Sequence, residues 1–205
     1  MLFYFRALFK DFSCRYAFHY LYYFTRRIFN GAAAPGVKVS DIVAVNNLKH
    51  AWQFLFDTLD VPLDYSYVCK LNQFVGGDSL IYNAGYIRTL PVSIGGTSWK
   101  PDIPVEDDIK ARLIELQAVE SPTERAIDVM LYCMRGQFYL DGNKRTAMLA
   151  ANQIMIANGQ GIISVPEELI RDFTQNLVNY YESGNKETIA QFVYDNCIDG
   201  MAFTN

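Results

Sequence analysis

The sequence predicts a mostly α-helical protein with one short β excursion, and three features of the 205-residue chain lead to that prediction. Apolar side chains recur at three- and four-residue steps through most of the chain after Ser40, which is the spacing of one helix face. Several of these segments begin with helix N-terminal signals and end at glycine or proline. Strand-forming residues are concentrated in one stretch, residues 84–104, which also contains a Gly-Gly pair.

The composition excludes some classes of protein. Apolar residues make up 51% of the chain and charged residues 20%, so a sizeable core can form and disorder is not expected. The formal net charge of −4 argues against a nucleic-acid-binding protein, which would carry a basic face. The cysteines show neither a CxxC pair nor a zinc-site spacing, which favours reduced, mostly buried thiols in a cytoplasmic protein. They are Cys14, Cys69, Cys133 and Cys197.

The first 30 residues contain twelve Phe or Tyr residues with basic residues spread among them. They lack the unbroken apolar core of a signal peptide and the roughly 20 consecutive apolar residues of a membrane span. We expect an aromatic helix packed on the domain, with an interfacial membrane helix or a partner-docking surface as alternatives. "GAAAPG", residues 31–36, is a hinge, so the predicted division is an arm and hinge over 1–36 and a domain over 37–205.

Two helices are predicted between the hinge and the β-like stretch. Apolar residues recur at helical steps from residue 42 to 59, with Ser40 as the N-cap and Pro62 after the end. A shorter helix is predicted over residues 65–75, because Gly76 and Gly77 follow it. The next element, residues 84–104, is predicted to be a small hairpin or an extended flap, since residues 86–94 are rich in strand formers.

Five helices are predicted after this flap, and the second has the clearest start. In "SPTE", Ser121 is the N-cap, Pro122 takes the first helical position and Glu124 completes a capping box. This second helix is apolar on nearly all sides, so we expect it to be buried at the centre of the protein. The five helices are predicted over residues 107–119, 122–135, 144–158, 166–182 and 185–197.

The stretch "GQFYLDGNKRTA", residues 136–147, has the features of an anion-binding site. Gly142 and Asn143 form a tight turn, and a helix that starts there presents unpaired N–H groups at its positive end. Lys144 and Arg145 add positive charge at the same end. Asp141 is placed to hold a divalent cation together with phosphate oxygens. A plain helix–helix turn with a solvated basic surface is the alternative interpretation.

"FYLDGNKRTA" resembles the signature of the Fic and Doc family, H-x-F-x-(D/E)-G-N-(G/K)-R. The matching residues are Asp141, Gly142, Asn143, Lys144 and Arg145. The resemblance implies a Fic-like helical bundle with a small β-hairpin flap, and the transfer of AMP or another phosphate-containing group from a nucleotide to a protein hydroxyl. It also implies ATP and Mg²⁺ as cofactors, with Asp141 at the metal and the other four residues at the phosphates.

Two further stretches carry the same resemblance. "GYIRTLPVSIGGTSWKPDIP" is similar to the family's flap, which aligns a segment of the target protein beside the nucleotide. The expected target-binding residues are Gly96, Thr97, Ser98, Trp99 and Lys100. "NYYESGNKETIAQFVYDN" is similar to the C-terminal helices, where a tyrosine often lies near the adenine. Tyr180 and Tyr181 are therefore either adenine contacts or ordinary core or rim residues.

The chain departs from the family pattern at the position that usually carries chemistry. The signature's first residue, the histidine that takes the proton of the target hydroxyl, is Gln137. Glutamine can orient a hydroxyl by hydrogen bonding but cannot accept its proton, and a positioned general base contributes about 10²–10⁴-fold in rate. The second arginine of the longer signature form falls on Met148.

We therefore expect a Fic-fold protein that binds a nucleotide and has weak or lost transferase activity. Two other functions stay open at this point. One is an active adenylyltransferase or phosphotransferase with altered chemistry, and the other is a membrane-surface or scaffold protein whose pocket is vestigial. An unidentified target protein is expected at the flap, and the sequence leaves the oligomeric state open.

Overall fold

The structure is a computed structural model that describes residues 38–77 and 80–200. The aromatic arm and hinge predicted for residues 1–36 lie outside the described residues. The described part of the chain contains seven α-helices, one 3₁₀ turn and two short strands. In chain order they are α1 (Val39–Asp57), α2 (Tyr65–Val75), α3 (Glu106–Gln117), α4 (Pro122–Gly136), α5 (Asn143–Ala157), β1 (Ile162–Ile163), a 3₁₀ turn (Glu167–Leu169), α6 (Ile170–Ser183), α7 (Glu187–Asn196) and β2 (Ile198–Asp199).

The core is built around α4 and α5, which pack against each other along their lengths. Three alanines of α5 are fully buried, and side chains this small allow the two helices to approach closely. They are Ala147, Ala150 and Ala151. Helices α1 and α2 pack on α5 from one side, and α3 and α7 pack on α4. The prediction that the helix after "SPTE" is the buried central helix is confirmed.

Most helix boundaries match the sequence signals. Helix α2 covers the predicted residues, and Asp64 caps it by accepting the N–H of Tyr67 at 2.7 Å. Ser121 caps α4 by accepting the N–H of Glu124, with Pro122 at the first helical position. The prediction of Ser40 as the N-cap of α1 is wrong, because the helix already begins at Val39.

The C-terminal helices also differ slightly from the prediction. The segment that Pro166 opens is first the 3₁₀ turn and becomes α-helical only at α6, and α7 is shorter than predicted at its start. The thiols of Cys69, Cys133 and Cys197 are free, and the last two are buried, as the sequence predicted for them.

The hairpin predicted within residues 84–104 is wrong, whereas the extended flap is what the structure has. No main-chain hydrogen bond joins one part of this segment to another, and Tyr86 donates instead to Asn83, just before the segment. The buried side chain of Arg88 takes the place of such a ladder. Its guanidinium donates to the carbonyl oxygens of Leu90, Pro101 and Asp102 at 2.9, 3.3 and 2.5 Å.

The small sheet lies elsewhere, where β1 pairs with β2 in antiparallel register, Ile162 opposite Asp199. The buried side chain of Asn152 on α5 holds β1 to the core. Its amide donates to the Ile163 carbonyl at 3.0 Å, and its oxygen accepts the Ile163 N–H at 2.8 Å. Two-residue strands carry too little pattern for the sequence to predict them.

Candidate functional site

The loop that joins α4 to α5 has two residues in left-handed backbone conformation. Gln137, which ends α4, has φ of 45°, and Gly142, which precedes α5, has φ of 79°. A Cβ atom on residue 142 would lie 2.9 Å from Val75 Cγ1 and 3.0 Å from Ile81 Cδ1. Glycine is therefore required at 142 both for its conformation and for space.

The side chain of Asn143 closes this loop from the inside. Its Oδ1 accepts the N–H of Tyr139 at 2.9 Å, and its Nδ2 donates to the Tyr139 carbonyl at 2.7 Å. Asn72, which reaches in from α2, donates to the carbonyl of Asp141 at 3.1 Å. The buried Asn143 side chain is therefore occupied within the loop, and only its main-chain N–H is left for a ligand.

The N-terminus of α5 points out of this fixed loop. Within the described part of the chain, nothing accepts a hydrogen bond from the N–H groups of Asn143, Lys144 or Arg145. Such groups, together with the positive end of the helix dipole, attract anions. The Lys144 side chain is exposed and that of Arg145 is partly buried. The structure thus brings together the residues that the sequence predicted as a phosphate site.

Asp141 lies at the edge of the same site, and its side chain is 69% exposed. One carboxylate oxygen accepts the N–H of Gly142 at 2.5 Å, and the other lies 3.4 Å from Arg145 Nη2. No group of three or more metal-binding side chains occurs among the described residues. A single carboxylate fits Mg²⁺ when phosphate oxygens and water supply the other ligands, which is the usual arrangement for this ion.

The flap, residues 84–104, is anchored to the loop by Arg88. Its Nε donates to the carbonyl oxygen of Gln137 at 2.6 Å, and its main-chain N–H donates to the carbonyl of Phe138 at 2.8 Å. Only 2% of the Arg88 surface is exposed. Arg88 is a functional residue that the sequence predictions missed, although a lone arginine among strand formers was a usable signal.

The predicted target-binding residues of the flap do not form a free loop tip. Thr97 Oγ1 and the N–H of Ser98 both donate to the Glu182 carboxylate on α6, at 2.9 and 3.2 Å. The ring of Trp99 covers the guanidinium of Arg135 at 3.9 Å. Gly96 and Lys100 are exposed. The predicted target-binding segment therefore contacts the end of α6 through Thr97 and Ser98, while Gly96 and Lys100 on either side are exposed.

Tyr180 and Tyr181 are both buried, as the core interpretation of these residues requires. The ring of Tyr180 lies 5.7 Å from the Arg135 guanidinium carbon, on which Trp99 also packs. Arg135 in turn donates to the main-chain oxygen of Tyr181 at 3.3 and 3.2 Å. Burial raises the pKa of both tyrosine hydroxyls, so both are neutral hydrogen-bonding groups at neutral pH.

An apolar cavity of about 430 Å³ opens at the other end of α5. Its lining includes Trp52, Phe56, Ile156 and Ile162. A helix of this length places its two ends roughly 20 Å apart, so the cavity is separate from the loop.

None of the helices in the described residues is both long and apolar enough to span a bilayer.

No protein-family model matches the chain, and no curated protein matches its sequence. Solved structures do share its fold. Fic-1 (aa134–508) from C. elegans has a TM-score of 0.74 and 22% identity, and the match covers 95% of this chain and 58% of that one. This chain thus spans less than two thirds of that protein's solved length.

Two bacterial structures give the same result. A Fic domain containing signaling protein from Bacteroides thetaiotaomicron has a TM-score of 0.72 and 17% identity, over 94% of this chain and 79% of that one. BepC from Bartonella tribocorum, solved with bound AMPPNP, has a TM-score of 0.52 and 14% identity, over 78% of this chain and 88% of that one. The chain therefore has the helical fold of Fic-domain proteins.

Proposed function

We propose that this protein binds ATP or a related nucleotide through its phosphates at the N-terminus of α5. We further propose that it transfers AMP to a target hydroxyl weakly or not at all, because Gln137 stands where a general base is needed. The observation that carries the proposal is that no acceptor among the described residues pairs with the N–H groups of residues 143–145. These groups follow a loop that Asn143 and Asn72 fix from within.

The electrostatics of the site favour a highly charged anion over a neutral ligand. The helix dipole, the exposed Lys144 and the Arg145 guanidinium all lie at one end of α5. Within residues 38–77 and 80–200, the Arg145 side chain contacts Asp141 at 3.4 Å and makes no other hydrogen bond, which leaves most of its donors for phosphate oxygens. Asp141 would hold Mg²⁺ together with those oxygens, and the ion would neutralise phosphate charge and fix the orientation of the phosphates. The nucleotide in BepC supports the choice of ligand.

The side chain of Gln137 limits the transfer of AMP to a target hydroxyl. Gln137 Nε2 donates to the carbonyl of Met134 at 2.6 Å, so the carboxamide is turned back on its own helix. A carboxamide has no usable proton affinity at neutral pH, so it can orient a target hydroxyl but cannot carry its proton away. Neither the N–H groups of α5 nor Arg145 depends on residue 137, so binding and transfer are separable.

The flap offers a docking edge for a target protein. The main-chain groups of residues 92–96 make no hydrogen bond to the described residues. An extended target segment can pair with such an edge by adding a strand. We propose that the flap binds its target in this way, beside Gln137, because Arg88 ties the flap to that residue.

Isothermal titration calorimetry of the native protein with ATP and Mg²⁺ tests the proposal. We expect saturable binding that Arg145→Ala weakens at least about tenfold, because a charge-assisted phosphate contact is lost. Arg171→Ala, which removes an exposed arginine of α6, is the matched control and should bind like the native protein. If ATP produced neither a heat of binding nor a shift in the melting temperature, the proposal would be wrong.

A further inference from the structure

The cavity at the C-terminal end of α5 is walled by apolar side chains and glycines. Its lining within the described residues consists of Trp52, Phe56, Ile156, Gly159, Gly161, Ile162 and Gly200. Phe56 is 42% exposed, although its ring lies 5.8 Å from that of the buried Trp52. An open apolar cavity with an exposed phenylalanine in its wall is typical of an interaction site.

The chemistry of the lining favours hydrocarbon side chains as the occupant. Sites for small polar molecules place a few polar side chains among the apolar ones to fix the ligand. Among the described residues that line this cavity, none has a charged, hydroxyl or amide side chain. A cavity of about 150 Å³ already holds benzene, so the 430 Å³ here accommodate a phenyl ring together with a second apolar side chain.

The chain itself carries such side chains directly after the cavity wall. Gly200 follows β2, and a Cβ atom on it would lie 3.9 Å from the Cα of Gly161, so the two glycines meet in the wall. Residues 201–205, which lie outside the described residues, have the sequence Met-Ala-Phe-Thr-Asn. Met201 and Phe203 are two positions apart, so an extended segment presents both side chains on one face.

The distance along the chain favours this segment over the aromatic residues 1–36. Phe203 follows Gly200 by three residues, which span at most about 10 Å. Residues 1–36 join α1 at its start, and Val39 is separated from Trp52 by roughly 20 Å of helix. A shorter link costs less entropy to close, so the segment after Gly200 is the better occupant.

We propose that residues 201–205 dock in this cavity, with the side chains of Met201 and Phe203 buried between Phe56 and Ile162. The docked segment covers the exposed ring of Phe56 and ties β2 to the C-terminal end of α5. The cavity lies at the end of α5 that is remote from the proposed nucleotide site, so this inference does not depend on ATP binding.

The first test is the thermal stability of the full chain. Phe203→Ala is expected to lower the Tm by about 3–10 °C, because it removes a buried phenyl ring. Thr204→Ala changes the next residue, which points away from the cavity in an extended segment, and should keep the native Tm to within about 1 °C. An unchanged Tm in Phe203→Ala would overturn the proposal.

Phe56→Ala then tests whether the loss of stability arises in this cavity. Mutations of side chains in contact are not additive, so Phe203→Ala should lower the Tm of Phe56→Ala by roughly half as much as that of the native protein, or less. Ile114→Ala, which removes an exposed apolar side chain from α3, is the control background in which the full loss is expected. An equal loss in both backgrounds would place Phe203 elsewhere and refute the proposal.

A direct measurement on the native protein covers the case in which these variants do not fold. Nuclear Overhauser effects are expected between the ring protons of Phe203 and the δ1 methyl group of Ile162. Effects on this methyl group from aromatic rings of residues 1–30 would instead identify those residues as the occupant. That result, or the absence of effects from Phe203, would contradict the proposal.

Discussion

Arg88 Nε donates a 2.6 Å hydrogen bond to the main-chain oxygen of Gln137, and this bond attaches the flap to the loop between α4 and α5. The same guanidinium holds the carbonyl oxygens of Leu90, Pro101 and Asp102. One buried side chain therefore sets both the internal shape of the flap and its distance from the loop. The flap and residue 137 are coupled by geometry, whether or not a base is present.

Replacement of Arg88 should loosen the flap even when the charge is kept. Arg88→Lys retains a cation but loses the fork of donors, so several buried carbonyl oxygens are left without partners. We expect a loss of about 2–4 kcal/mol in the free energy of unfolding, measured by urea denaturation. Lys100→Ala, at an exposed flap position, should change it by less than about 0.5 kcal/mol. Equal stability of Arg88→Lys and the native protein would refute the coupling.

Glu182 should control how firmly the tip of the flap is held. Its carboxylate accepts from both Thr97 and Ser98, but both hydrogen bonds are exposed to solvent, so their contribution to stability is small. Glu182→Ala is expected to cost less than about 1 kcal/mol while increasing proteolytic cleavage within residues 95–100. Glu168→Ala, at another exposed glutamate, should leave the cleavage pattern of the native protein. Unchanged cleavage in Glu182→Ala would show that the hydrogen bonds of Thr97 and Ser98 to Glu182 do not hold the tip of the flap.

Asn143 should matter for the fold of the loop more than as a ligand. Asn143→Ala removes both hydrogen bonds to Tyr139 in a buried position and leaves the Tyr139 N–H and C=O unpaired. The expected cost is about 2–3 kcal/mol in thermal or urea unfolding. Lys144→Ala changes the next residue, which is exposed, and should be nearly neutral. Matching stabilities for the two variants would mean that the loop does not need its internal bonds.

Restoration of a base should reveal whether transfer chemistry is latent. Gln137→His supplies a proton acceptor at the signature position, and we expect about 10²–10⁴-fold more label on target proteins from labelled ATP in a cell lysate. Adding Arg145→Ala to Gln137→His is the control, because it should remove the label by weakening nucleotide binding. If the native protein labels targets as strongly as Gln137→His, the glutamine is not what limits transfer.

Alkaline pH should destabilise the protein through its buried thiols. Burial raises the pKa of Cys133 and of Cys197 from 9.0 to about 12. Above pH 9 the unfolded chain therefore loses these protons while the folded chain keeps them, so stability falls as pH rises toward 12. The slope is about 1.4 kcal/mol per pH unit for each thiol. Urea unfolding between pH 8 and 11 measures this change in the free energy of unfolding with pH. The change should be smaller in Cys133→Ala, which lacks one of the two thiols. An equal slope in Cys133→Ala and the native protein would contradict the role of the Cys133 thiol.

Several structural elements could be predicted from the sequence because interactions between neighbouring residues determine them. The start of α4 follows from Ser121 and Pro122 alone, and the end of α2 follows from Gly76, because caps and breakers act within one helical turn. The proposed phosphate site could be predicted for the same reason, since its donors belong to consecutive residues at one helix end. The assignment of Gln137 to the histidine position came from the family resemblance of the signature, which Asp141 to Arg145 match residue by residue.

Contacts between distant residues needed the tertiary structure. Arg88 reaches Gln137 across 49 positions, and Thr97 reaches Glu182 across 85, so no local pattern marks either pair. The hairpin prediction failed for this reason, since side-chain bonds to Arg88 replaced a local strand ladder. The sequence by itself determined most of the helices and the proposed anion site, because those depend on neighbours in the chain. Only the fold decided which side chains hold the site in place, because that depends on which helix ends meet in space.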